Sequence, residues 1–207
     1  SSNHPNGHFG YNVTGNGAIT TTCFGKPMWE LVHAGEDWMR KAKTPVYATA
    51  DGTIQFSKDQ KYPGGVIIIR HQLSAGISTP WNNNVIYSVY SHLDPNNLPT
   101  YVDVRRGDLI GTLVDQGDNS HLHFEIRRDE SMNHGINCFN SIPGPGYVDT
   151  GENADSYGYT NPENWISEHR PLDNLTLFDQ ANYDVGGSTR QVLDPGKYNL
   201  DSFNDKT

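Results

Sequence analysis

No stretch of this chain carries a sustained 3.6-residue apolar repeat, so it reads as a β protein rather than a helical bundle. What recurs is the short period-two run between turn residues, in a chain of 207 residues with 21 Gly and 12 Pro. Pro45–Ala50 reads as extended and ends at Asp51-Gly52, a turn signal, after which Thr53–Phe56 alternates. Gly65–Arg70 is a Val/Ile run suited to a buried strand. In Val85–Ser91, Val85, Tyr87 and Val89 fall on one face and Ile86, Ser88 and Tyr90 on the other. Asp108–Val114 and Leu122–Arg127 are two further predicted strands. The best helical piece is short, Pro162–His169, with Pro at a favourable first position. Ile142–Thr160 reads as a long loop. The fold class expected is mostly β: an antiparallel β-sheet domain with long loops and few short helices.

Composition removes several function classes. A net charge of -9 disfavours nucleic acid and anionic membrane surfaces as partners. No window approaches the ~20 apolar residues of a membrane span. Two cysteines, Cys23 and Cys138, are too few for a cysteine-only zinc cage.

Three short pieces concentrate chemistry: His33-Ala-Gly-Glu-Asp37, Tyr90-Ser-His92-Leu93 and His121-Leu-His123-Phe-Glu125. On a strand, His121 and His123 share a face and offer two imidazoles to one small volume. His33 and Asp37 add a nitrogen and an oxygen donor, with Gly35 letting the backbone bend between them. Catalytic zinc usually takes three protein ligands and keeps a fourth position open. His33, Asp37 and one of His121 and His123 make such a set. No His-Glu-x-x-His is present, so a histidine is expected as base: the spare member of the pair or His92. Tyr87 and Tyr90 are weighed as oxyanion donors against a core role. Glu125 is read as alternating away from the histidine pair and is given no role. His71 is read as a hydrogen-bonded loop residue, Trp29 and Trp38 as packing, and His4, His8, His134 and His169 as lying outside the constellation.

These pieces, with Pro45-Val-Tyr-Ala48, Asp51-Gly52 and Val104-Arg-Arg-Gly-Asp-Leu-Ile-Gly111, resemble the signature of the lysostaphin-type zinc metallopeptidases over roughly residues 30–130. The resemblance implies that His33, Asp37 and His123 hold Zn2+. It implies that His121 is the general base and that His92 hydrogen-bonds the water or the tetrahedral intermediate. It also implies a groove across an antiparallel sheet and a peptide substrate, most often a peptidoglycan cross-link or bridge, met outside the cell or in its envelope. The segment Asp115–Ser120 departs from the family's Gly-Ser/Thr-Gly turn. Three other readings compete: a secreted protease on Gly-rich proteins, a non-catalytic wall-binding or activator member of the same fold, and a biotinyl- or lipoyl-type carrier. The last lacks a lysine between Tyr62 and Lys197.

The chain divides into an arm at 1–22, a metallopeptidase domain at 23–171 and a β segment at 172–207. In an exported chain Cys23 and Cys138 are expected to pair. The last segment resembles one Greek-key motif of a βγ-crystallin-type domain. Such a half-motif implies a longer parent chain and no tight calcium binding, since calcium needs about 6–8 oxygen ligands.

Overall fold

A computed structural model describes residue 9 and residues 31–60, 64–74, 77, 79–100, 102–130, 146–149 and 153–169. The Cys23–Cys138 pair, His4, His8, Trp29, His134, the 172–207 segment and all of the arm but Phe9 lie outside the described residues.

Eleven strands and one helix follow in chain order among the described residues: β1 (Leu31–His33), β2 (Glu36–Met39), β3 (Pro45–Tyr47), β4 (Gly52–Asp59), β5 (Gly65–Gln72), β6 (Val85–Leu93), β7 (Asp103–Val104), β8 (Leu109–Thr112), β9 (His121–Arg127), β10 (Tyr147–Asp149), β11 (Tyr159–Thr160) and α1 (Pro162–Glu168). A seven-stranded sheet runs β11-β9-β6-β5-β4-β7, with β2 also paired to β9. β1 with β10, and β3 with β8, form two-stranded sheets. Every pairing is antiparallel, so the mostly β architecture read from the sequence stands.

Burial explains why the Val/Ile run sits at the centre. Ile67 and Ile69 of β5 face the main core with Tyr90, Leu122, Phe124 and Ile126. Val66 and Ile68 face the opposite side, in a smaller cluster with Val89. A strand covered on both faces needs this continuous apolar run. Each Ile buried this way contributes about 1.5–3 kcal/mol. Three polar side chains buried at β5 and β6 bond one another: His71 meets the Asp51 carbonyl through Nδ1 at 2.8 Å and Ser88 Oγ through Nε2 at 2.7 Å, and Ser88 reaches Tyr90 Oη at 3.1 Å. His71 is therefore a buried strand residue, not the loop residue expected. Tyr90 is fully buried and bonded to Thr49, so it belongs to the core and not to the site.

Two local readings are corrected. The backbone bends at Asp51 and enters β4 at Gly52, but the strands flanking the bend do not pair, since β3 joins β8 and β4 joins β5 and β7. Part of the loop expected at 142–160 is ordered into β10, a 3₁₀ turn at Ala154–Tyr157 and β11, each placed by a partner distant in sequence. α1 matches its prediction: Asn161 caps it by accepting from the Asn164 amide, and Pro162 opens it.

Candidate active site

β9 builds the site by alternation. Leu122, Phe124 and Ile126 point into the main core, which turns His121, His123, Glu125 and Arg127 to the other face. β2 lies alongside with Asp37 opposite His123 and Met39 opposite His121. Directly opposed residues share a face, so Asp37 and His123 meet. β1 brings His33 from the far side of Gly35. A β-carbon on Gly35 would stand 2.6 Å from the Phe124 carbonyl oxygen and 2.9 Å from His123 Cε1. Glycine is required there for close approach, in addition to the bend expected from the sequence.

The result is a buried cluster of three donors. His33 Nε2 lies 3.0 Å from His123 Nδ1 and 3.4 Å from Asp37 Oδ1, and His123 Nδ1 lies 3.0 Å from Asp37 Oδ1. Among the described residues His33, Asp37 and His123 are the one group able to hold a metal ion. The fit to zinc follows from bond lengths. Four-coordinate zinc with bonds of about 2.0–2.2 Å separates its ligand atoms by about 3.3–3.6 Å, a few tenths of an ångström from the spacing seen. Two nitrogens and one oxygen are also the donor types zinc takes at catalytic centres.

The electrostatics agree. Burial alone would raise the Asp37 carboxyl, but the charge and hydrogen bonds of His33 and His123 hold it well below the usual carboxylate range. Burial would lower His123, and the hydrogen bonds and charges of Asp37 and Glu125 override it, raising His123 to about 10. In the metal-free chain a proton on His123 offsets the charge of Asp37, and a bound metal ion would take the place of that proton.

His121 and His92 stand beside this cluster. His121 Nδ1 lies 2.6 Å from the Asn119 carbonyl, which can only accept, so the proton sits on Nδ1 and Nε2 is the basic nitrogen. That Nε2 is 3.8 Å from Asp37 Oδ1. The departing segment before the motif thus supplies the orienting carbonyl: Gly117–Asn119 forms a 3₁₀ turn ending beside His121. His92 reaches the site through a bulge. Gly65 and Ile67 of β5 oppose Leu93 and Tyr90 of β6, so β6 holds one extra residue, and His92 takes φ 64°. Strict alternation from Ser91, which opposes His123, would send His92 into the core. The bulge instead sets its ring edge-on to His121 at 4.5 Å and to His123 at 6.3 Å. A non-glycine residue in this region costs about 1–2 kcal/mol.

All five residues singled out in the sequence are brought together. Two neighbours were missed. Glu125 is buried and 2.9 Å from His123 Nε2, on the face that its even spacing from His121 and His123 dictates; the reading that it alternates away is wrong. Tyr147 opposes His33 across β1–β10, its ring 5.4 Å from His33 and 6.4 Å from His123. No local pattern marks it, because its partner strand is more than a hundred residues away. Trp38 stacks on Phe124 at 5.2 Å, a packing role, and Tyr87 opposes Arg127 away from the donor cluster.

Residues 31–134 match peptidase family M23. The chain belongs to this family. The M23 match takes in the elements that carry the donor cluster and both further histidines, from β1 to β9. Among curated relatives, the peptidoglycan DD-endopeptidase ShyC of Vibrio cholerae serotype O1 is 30% identical over 96 residues, 45% of this chain and 20% of the relative. The DD-carboxypeptidase/endopeptidase Mpg of Neisseria meningitidis serogroup B is 33% identical over 101 residues, 48% of this chain and 20% of the relative. The chain spans about a fifth of the length of these curated relatives. Among solved structures, the catalytic domain of the antimicrobial peptidase lysostaphin from Staphylococcus simulans is similar with a TM-score of 0.42 and 20% identity, over 78% of this chain and 89% of that one.

Proposed function

We propose that this M23 chain is a zinc-dependent endopeptidase, and that its substrate is the peptide part of peptidoglycan, at a cross-link or interpeptide bridge. The observation that carries the reading is the convergence of His33 Nε2, Asp37 Oδ1 and His123 Nδ1 with His121 and His92 alongside. The ShyC and Mpg similarities support the choice of substrate. The same reading places the protein in the cell envelope or outside the cell. It assigns the peptidase to residues 23–171, between an arm at 1–22 and a β segment at 172–207. Among the described residues no helix is long and apolar enough to cross a membrane.

His33, Asp37 and His123 would hold the metal. When bound, zinc lowers the pKa of water toward ~7 and polarises a carbonyl oxygen. His121, with Nδ1 committed to the Asn119 carbonyl, takes the proton of the attacking water at Nε2 and returns it to the departing amine. His92 donates a hydrogen bond to the oxyanion that develops on the scissile carbonyl. Asp37, whose carboxyl is held low in the metal-free chain by the charge and hydrogen bonds of His33 and His123, would bring the anionic donor to the metal.

Purified peptidoglycan and elastin, digested side by side, test the reading when the cut bonds are mapped by mass spectrometry. Chelator-sensitive cleavage of wall peptides is expected. Cleavage confined to elastin would move the chain to proteases of Gly-rich proteins. Metal bound with no bond cut in either would make it a wall-binding or activator member of the fold.

A further inference from the structure

The metal-facing side of β9 continues past His123 into a buried charged row that the reaction does not use. Glu125 Oε1 lies 2.9 Å from His123 Nε2, and Arg127 Nη1 donates to Glu125 Oε2 at 3.2 Å. Arg127 is fully buried, and its Nη2 donates to the Glu130 carbonyl. β11 closes over it, with Tyr159 paired opposite Arg127 and hydrogen-bonded to it. Burying charges costs several kcal/mol each unless they are paired and bonded, as Glu125 is to both His123 and Arg127.

We propose that Glu125, braced by Arg127, is the positioning residue that keeps the His123 proton on Nε2 and so leaves Nδ1 to the metal. The inference rests on the zinc reading given above. Its physical basis is a competition. A neutral imidazole has one N–H, and two carboxylates flank this ring: Asp37 at Nδ1, 3.0 Å away, and Glu125 at Nε2, 2.9 Å away. Only the tautomer that donates to Glu125 presents a lone pair to the donor cluster. Arg127 holds Glu125 Oε2, so the carboxylate cannot swing away from the ring.

The backbone on both sides seals this contact. A β-carbon at Gly146, where φ is +73°, would lie 2.9 Å from His123 Nε2 and 3.1 Å from Glu125 Oε1. A β-carbon at Gly35 would lie 3.0 Å from the same Nε2. The Ala34 amide bonds the Gly146 carbonyl at 3.0 Å and ties the two glycine segments together. The backbone thus crowds both flanks of the His123–Glu125 contact. A carboxylate behind a metal-bound histidine typically improves affinity by about 10- to 100-fold.

The test uses the full chain. Zinc affinity is measured by competition with a chromophoric chelator for wild type, Glu125→Ala and Glu125→Gln. The imidazole ¹H–¹⁵N spectrum of the zinc-loaded wild type is recorded in parallel. Glu125→Ala should bind zinc about 10- to 100-fold more weakly. Glu125→Gln, which keeps an acceptor oxygen, should recover part of that loss. The wild-type spectrum should show His123 protonated on Nε2 with slow exchange. Affinity within about twofold of wild type in Glu125→Ala, or a wild-type His123 carrying its proton on Nδ1, overturns the proposal. The wild-type spectrum decides even where a variant fails to fold. A wild type that binds zinc but cuts no peptide would remove the peptidase reading and leave this inference standing. A wild type that binds no zinc removes both.

Discussion

At Gly35 a β-carbon would meet the Phe124 carbonyl oxygen at 2.6 Å and the His123 ring at 2.9–3.0 Å. The first of these contacts is backbone, so it cannot move aside as a side chain would. Gly35→Ala should therefore cost about 1–3 kcal/mol of stability, the usual range for overpacking, and should weaken metal binding by displacing His123. Urea unfolding and chelator competition on the variant read the two effects, and an unchanged midpoint would show that the segment relaxes freely. The histidines separate by role. His123→Ala removes a donor and should lose both metal and activity. His92→Ala should retain the metal and lose about 10²–10³ in turnover, the usual loss for one oxyanion donor. Metal content by elemental analysis beside turnover on wall peptide checks both, and loss of metal from His92→Ala would place His92 among the ligands instead. The site was legible in the sequence because its residues come in short strings whose spacing is chemical: His-x-His on a strand, His and Asp around a glycine. Glu125 was just as legible, since 121, 123 and 125 share parity and so one face of the strand.

Whole elements were legible where their pattern is local. β5, β6 and β9 announce themselves through alternation or a Val/Ile run, and α1 through Pro162. β1, β10 and β11 hold two or three residues each, and a run that short carries no period; only partners such as Val148 for Val32 define them. The Asp51-Gly52 turn signal misleads for the same reason, because strand partners are chosen by long-range burial and not by the bend between them. His71 ties these elements together, joining the Asp51 bend, β5 and, through Ser88, β6. Burial lowers its pKa from 6.5 despite the opposing hydrogen bond to the Asp51 carbonyl. The unfolded chain then binds more protons than the folded one. The contribution of His71 is thus complete above about pH 6.5 and is lost as pH falls from there toward the lower folded value, by at most about 1.4 kcal/mol per pH unit. His71→Gln should be less stable than wild type at pH 8 and should lose less on acidification. Urea midpoints for both chains from pH 8 to pH 5 test this, because the metal-site groups are common to both. Parallel curves would mean that His71 titrates alike in the folded and unfolded states.

On the scale of the molecule, the donor cluster joins two sheets that otherwise share little. His33 comes from β1, which among the described residues pairs with β10 alone, over three residues, whereas Asp37 and His123 belong to the seven-stranded sheet. A three-residue, two-stranded sheet is not stable by itself in water. The β1–β10 pair is held by the small cluster of Val32, Ala34, Val148, Ala154 and Tyr159, by the Ala34–Gly146 hydrogen bond and by the meeting of His33 with His123. A metal held by all three donors makes that last contact a cross-link, so opening β1 from the large sheet would require releasing the ion. Linkage then fixes the size of the effect: at a free metal concentration one hundred times Kd, the closed state gains about 2.7 kcal/mol, or about 100-fold in the opening equilibrium. Chelation should accordingly speed amide exchange in β1 and β10 by about that factor. His33→Ala should exchange at the fast rate with or without metal. Hydrogen exchange followed by mass spectrometry on the two proteins, with and without chelator, measures this, and identical exchange of β1 and β10 in loaded and stripped wild type would mean that the two sheets are held together without the ion.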